Sequence, residues 1–317
     1  MKRILLTLLL LLYFPFFIGW SFAFWIWTPE TNKWINPKYV VKQSPQEQLD
    51  YGLAFYSRGR YDEAIREFRK LLKCYPKARE AAEAQYYIGV CLQKQGKLYK
   101  AFKNYQLVID KYPFSDRFKE IIKREYEIGK ALLEGCRRKN KFMDALIGTD
   151  YNVIDVFRTV IKNDPYGKLA ASAQYKIALY LKQKGVYQEA RDEFEKVVND
   201  YPESKWARAA KYQIAMTDAK MSTAPQYDQM ITKAAVEGLK EFVKENPDAV
   251  LSKKAKKEID RLRDKEAENN FLVAKFYEKQ KNFRAAKIYY QTVVDEYKDT
   301  KWAVKALKKI HQLTVNQ

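Results

Sequence analysis

Histidine is almost absent from this sequence, and cysteine, glycine and proline are scarce. The single histidine, His311, sits in a lysine-rich C-terminal stretch. That removes the histidine-centred nucleophile dyads and triads and most zinc sites from consideration. Three cysteines, Cys74, Cys91 and Cys136, are an odd number without metal-ligand spacing. Cys74 and Cys91 read either as a pair across neighbouring helices or as buried free thiols. No glycine-rich phosphate loop and no nucleophile elbow occurs. Acidic pairs such as Asp62-Glu63 fall on polar helix faces, where carboxylates are solvated. These shortages argue against an enzyme, a cofactor, a bound metal or a small-molecule substrate.

What is present suits helices. The 317 residues hold only 11 Gly and 10 Pro, and 47% are hydrophobic and 15% aromatic. Lys, Glu, Ala and Leu dominate, with no Ser/Gly linker to break the chain. The net charge of +20 favours anionic lipid, acidic proteins or nucleic acid. The basic residues are spread along every helical stretch, however, with one dense run at Lys253-Lys254-Ala255-Lys256-Lys257. They are expected to form solvated helix faces.

The N-terminus reads as an address. Met1-Lys2-Arg3 precedes an apolar run from Ile4 to Trp20, and Ser21-Phe22-Ala23 suits a signal-peptidase cut before Phe24. An uncleaved anchor is the alternative, because no charge falls between Arg3 and Glu30. Either way the remainder is expected to be exported, so nucleic acid is not an expected partner. No cysteine precedes Cys74, so no lipid-bearing Cys follows the apolar run.

Beyond residue 44 a repeat runs through the chain. Tyr51-Gly52, Phe55, Gly59, Tyr61, Ala64, Phe68, Leu71, Pro76 returns as Ile88-Gly89, Leu92, Gly96, Leu98, Ala101, Tyr105, Val108, Pro113. A further copy is Ile177-Ala178, Leu181, Gly185, Tyr187, Ala190, Phe194, Val197, Pro202; the last is Val273-Ala274, Tyr277, Phe283, Ala286, Tyr290, Val293, with Lys298 where proline would fall. Gly or Ala lets two helices approach, a second glycine turns the chain, the aromatic residue is a buried knob, and proline closes the second helix. Two copies are stretched, one by roughly a dozen residues around Asn140 to Asp150 and one by about eight around Met221 to Asp228. A helical pattern then runs from Ala249 to Lys279.

This small–large–proline order resembles the tetratricopeptide repeat (TPR). The expected fold is an all-α TPR superhelix, a solenoid of five to six helix pairs behind a signal sequence and a short Trp-rich segment. The expected organisation is a leader over 1–23, a Trp-rich piece over 24–43, two repeats over 44–120 and an enlarged repeat over 121–170. A fourth repeat follows over 171–207, and an enlarged fifth, the long helix and a sixth repeat occupy 208–317. In such arrays some first-helix positions face the concave side; here they are Tyr56, Tyr86, Lys94, Tyr126, Lys130, Tyr175 and Lys182. Tyrosines beside lysines suit an extended peptide with aromatic side chains and a carboxylate, or else are packing between repeats.

At the C-terminus, Leu262-Arg263-Asp264, Val273-Ala274, Phe276-Tyr277 and Tyr297-Lys298-Asp299-Thr300 are similar to the last repeat of the outer-membrane assembly factor family BamD. The enlarged stretch "ALIGTDYNVIDVFRTVIKNDP" and the "KYPFSDR" turn point the same way. The resemblance implies a non-catalytic periplasmic scaffold at the outer membrane of a double-membraned bacterium. Its partners would be unfolded outer-membrane proteins and a BamA-like barrel subunit, docked through a C-terminal repeat bearing Asp264, Phe276, Tyr277 and Tyr289. Tyr289 stands where enteric members of that family carry an arginine. Alternatives are a periplasmic TPR adaptor of the Tol–Pal type and a basic protein binding envelope polymers. The segment "FAFWIWTPETNKWINPKY" reads as a short hairpin broken at Thr28 to Asn32. Its Trp25, Trp27 and Trp34 would form a membrane or partner contact, or else a cap on the first repeat.

Overall fold

The computed structural model describes residues 25–28, 33–35, 40–138, 149–222, 229–247 and 250–315. The leader expected over 1–23 lies outside them, as do most of the stretch around 140–150 and residues 223–228. The chain forms two compact units, residues 1–115 and 116–317.

The first unit opens with an antiparallel ribbon of β1 (Ile26–Thr28) and β2 (Lys33–Ile35), which pairs Ile26 with Ile35 and Trp27 with Trp34. Four helices follow: α1 (Pro45–Ser57), α2 (Tyr61–Cys74), α3 (Arg79–Lys94) and α4 (Leu98–Lys111). Ser44 starts α1 by accepting from the Glu47 amide at 3.2 Å, with proline at the first helical turn. The helices pack as antiparallel pairs around Phe68 and Tyr105, both with no exposed surface. A Cβ placed on Gly89 would stand 2.5 Å from the Tyr105 ring, and one on Gly52 equally close to Phe68. Only a hydrogen at those positions lets the knob reach the opposite backbone. Burying such a knob contributes about 1.5–3 kcal/mol.

The second unit holds α5 (Phe118–Arg138), α6 (Thr149–Asn163), α7 (Ala170–Lys184), α8 (Tyr187–Asp200), α9 (Lys205–Met221), α10 (Gln229–Glu245), α11 (Val250–Lys279), α12 (Phe283–Glu296) and α13 (Lys301–Val315). Successive helices pack pairwise in chain order. Phe157, Phe194 and Tyr290 are its buried knobs, and Ala178 and Ala274 replace the glycine at two close approaches. Helices α2, α4, α8 and α12 each end on a tyrosine, Tyr75, Tyr112, Tyr201 or Tyr297, whose amide bonds the carbonyl four residues earlier. Proline follows the first three, and Lys298 the last.

Three repeats carry a polar rung beside the knob. Gln48 donates to the Glu67 carboxylate at 3.0 Å, Gln85 to the Asn104 side chain at 2.9 Å, and Gln174 to Glu193. Burying these groups is tolerable because each finds its partner. Cys74 and Cys91 are both free, so they do not pair. Cys91 is buried, which pushes its thiol up to about 12, whereas Cys74 is exposed, against the expectation that both would be buried. His311 is exposed on α13.

Candidate functional site

The knob residues determine what the first helix of each pair can offer. In the second and last repeats the knob is tyrosine, and its hydroxyl needs an acceptor. Tyr105 donates to Gln93 at 2.8 Å, and Tyr290 donates to Glu278 at 2.7 Å. Where the knob is phenylalanine no acceptor is required. The same first-helix position is then Tyr56 opposite Phe68 and Lys182 opposite Phe194.

Lys182 turns instead toward α9, donating to the Gln213 side chain at 3.0 Å. Burial, and next the nearby Lys220, lower its pKa to about 8, with Asp218 and Glu258 opposing. Tyr175 also bonds Gln213, and its hydroxyl is pushed upward chiefly by burial. One glutamine of α9 thus gathers Tyr175 and Lys182 of α7. Asp218, a turn further along α9, is buried and accepts from Arg191 Nε at 2.9 Å. Burial raises its pKa, and the Arg191 charge works against that rise. The result is a polar seam of alternating charge linking α7, α8 and α9.

The other expected groove residues divide by depth. Tyr126 is buried and shares a 2.5 Å hydrogen bond with Ser172, while Lys130 lies over its ring and pairs with Glu127 at 2.8 Å. Tyr86 is 2% exposed and packs against Tyr87 and Tyr105. Tyr86, Tyr126 and Tyr175 are therefore buried between helices, as in the packing alternative of the two readings. Tyr126 and Tyr175 meet the next helix pair, at Ser172 of α7 and Trp206 of α9, whereas Tyr86 packs against Tyr105 of its own repeat. Tyr56, half-buried with its ring 5.4 Å from that of Tyr87, and the exposed Lys94 remain accessible.

In the last repeat, Asp264 pairs with Lys301 at 3.3 Å. Tyr277 and Tyr289 stack 5.5 Å apart, with their planes within 12°. Tyr289 occupies the rung position held by Glu67, Asn104 and Glu193, so the polar rung is replaced by an aromatic one. Phe276 is 58% exposed and Ile288 60% exposed. Sequence reading did not single out Ile288. Aligning the repeats reveals it, because the same position holds Arg66, Lys103 and Asp192 in other copies. Val304 and Leu307 leave a further apolar exposure on α13. Among the described residues, no three His, Cys, Asp or Glu side chains gather as a metal site, and no helix is long and apolar enough to cross a membrane.

Comparison with known families follows the two units. A tetratricopeptide-repeat model matches residues 49–116, from within α1 to just past α4. The fold is that of the tetratricopeptide repeat. The helices of each unit form an all-α TPR array, the first matched directly and the second built on the same knob-and-gap rule. The YfiO family, described as an outer membrane lipoprotein, matches residues 165–315, a little under half of the chain and all of it within the second unit. Among solved structures, a thermophilic TPR protein of Thermus thermophilus shares 16% identity over 68% of this chain and 99% of its own, with a TM-score of 0.36. MamA shares 19% over 64% and 92%, and a TPR protein from Parabacteroides merdae shares 14% over 86% and 100%, both again at 0.36. Superpositions this loose carry nothing about function. No curated protein matches the chain.

Proposed function

We propose that the chain is a non-catalytic TPR scaffold of the bacterial envelope that resembles BamD. In this reading it binds unfolded outer-membrane proteins and a BamA-like barrel subunit during outer-membrane protein assembly. The observation that carries it is the outer-membrane lipoprotein family match, which spans α7 to α13. The geometry of the last repeat supports it. Arg263 donates to Asp299 at 2.8 Å and to the Glu296 carbonyl at 2.9 Å, and Thr300 closes the turn onto Tyr297 at 2.9 Å. Of the residues behind the sequence resemblance, Arg263 and Asp264 thus tie α11 to Asp299 and Lys301 at the α12–α13 turn. Further along α11, Tyr290 and Lys309 both hold Glu278 beside the exposed Phe276 and the Tyr277–Tyr289 stack, the kind of aromatic surface enriched at protein interfaces. Solubilised envelopes provide the test: a tagged chain should bring down a barrel subunit from the outer-membrane fraction. Recovery solely with inner membranes or the soluble fraction would overturn the assignment.

A further inference from the structure

The ribbon of the first unit presents a surface that the repeats do not use. Trp27 and Trp34 face each other across it, with ring centroids 5.7 Å apart. Alternation places Trp25, two residues before Trp27, on the same side. All three stay open to solvent, at 54% for Trp25, 42% for Trp27 and 63% for Trp34. The strands pack extensively against one another and against no described helix to a comparable extent. A two-stranded ribbon this short is marginal in water on its own, and three half-bare indoles add to the cost of leaving it uncovered.

We propose that the Trp25–Trp27–Trp34 face seats in the headgroup zone of a lipid bilayer. Indole suits that zone because its ring is apolar while its N–H still finds an acceptor there. The free edges of a two-stranded ribbon would be intolerable at hydrocarbon depth, so the contact is shallow. The chemistry around the ribbon agrees. Three lysines, Lys33, Lys38 and Lys42, stand against one Glu30 in the segment, which favours an anionic surface. If it stays uncleaved, the apolar run from Ile4 to Trp20 adds a second membrane-seeking element directly before the ribbon; a cut before Phe24 leaves the ribbon at the mature N-terminus as the contact itself. This contact holds whether or not the chain serves in outer-membrane assembly.

The test uses the full chain and the triple variant W25S/W27S/W34S, with vesicles of phosphatidylethanolamine and phosphatidylglycerol. The emission of the parent minus that of the variant isolates the three ribbon indoles, since Trp20, Trp206 and Trp302 are common to both. With vesicles, that difference emission should move to shorter wavelength and be quenched by lipids brominated near the headgroup. Phosphatidylcholine vesicles should give a smaller shift. Parent and variant should melt at the same temperature, because the ribbon supports no helix. A difference emission indifferent to vesicles and open to aqueous quencher would sink the proposal. So would one already blue-shifted without lipid, or a lowered melting temperature, either of which marks a protein-side cap. The variant W25F/W27F/W34F, which keeps an apolar face, repeats the subtraction if the serine variant fails to fold.

Discussion

The two units solve one packing problem with different means. In the first, a glycine lets each aromatic knob touch backbone, and glycines at Gly59 and Gly96 take the left-handed turn with φ of 72° and 74°. In the second, glycine is kept beside Phe157 at Gly129 and at the Gly185 turn, but alanine replaces it beside Phe194 and Tyr290, and the last turn is made by Lys281 at φ 60°. There, ion pairs such as Arg191–Asp218, Arg263–Asp299 and Lys309–Glu278 join elements far apart in sequence. The first unit is held by shape; the second adds charge to shape. That difference follows the family matches, generic repeat for the first and outer membrane lipoprotein for the second.

Substitutions can break this comparison. The largest effect is expected from Tyr290→Phe set against Tyr105→Phe. Removing the Tyr290 hydroxyl deprives the Glu278 carboxylate, which Lys309 also holds at 2.9 Å, and should cost about 1.5–3 kcal/mol. The Tyr105 change affects a neutral Gln93 and should cost about 0.5–1.5 kcal/mol in denaturant unfolding. Equal losses would refute the division between charge and shape. Gly89→Ala comes next, since its methyl would meet the Tyr105 ring; overpacking of this kind costs about 1–3 kcal/mol. The reverse change, Ala178→Gly, relieves no clash and should cost only about 0.5–1 kcal/mol through helix propensity. A thermal melt of the pair measures the asymmetry.

Lys281→Gly should work in the opposite direction. It removes a side chain from a left-handed backbone and should stabilise by up to about 1 kcal/mol, provided glycine's gain exceeds its added freedom in the unfolded chain. The smallest effect is electrostatic. The folded pKa of Lys182 near 8 lies below its ordinary 10.5, so the folded state binds fewer protons than the unfolded state between those values. This lysine therefore lowers stability below that window and lets stability rise as pH climbs through it. Lys182→Met should flatten that slope in urea titrations run at several pH values. An unchanged slope would place the lysine in free solvent.

Much of the fold was legible because a repeat's rules are local. The Gly52–Phe68 and Gly89–Tyr105 contacts, the glycine turns and the tyrosine–proline closures depend on residues close in sequence. The candidate site was less legible. Whether Tyr126 or Tyr175 is open depends on the neighbouring pair stacked over it, which no single repeat records. Lys281 was unreadable as a turn residue because lysine rarely takes a left-handed backbone. The exposure of Ile288 was recoverable from the repeat alignment but not from its own helix, where an apolar residue looks like core. The Trp face was visible in composition, and the pairing of Trp27 with Trp34 required the strand register.

The polar rungs bear on which repeats tolerate a longer link. Gln48–Glu67, Gln85–Asn104 and Gln174–Glu193 share one sequence spacing, and each joins the two helices of a single repeat. A rung therefore works as a ruler, since lengthening the link between its helices would put a buried amide at risk. In the enlarged third repeat the corresponding positions are Glu125 and Val156, and the ruler is gone. Losing the pair permits a longer link without requiring one, since the last repeat carries Tyr289 at the rung position and keeps the common spacing.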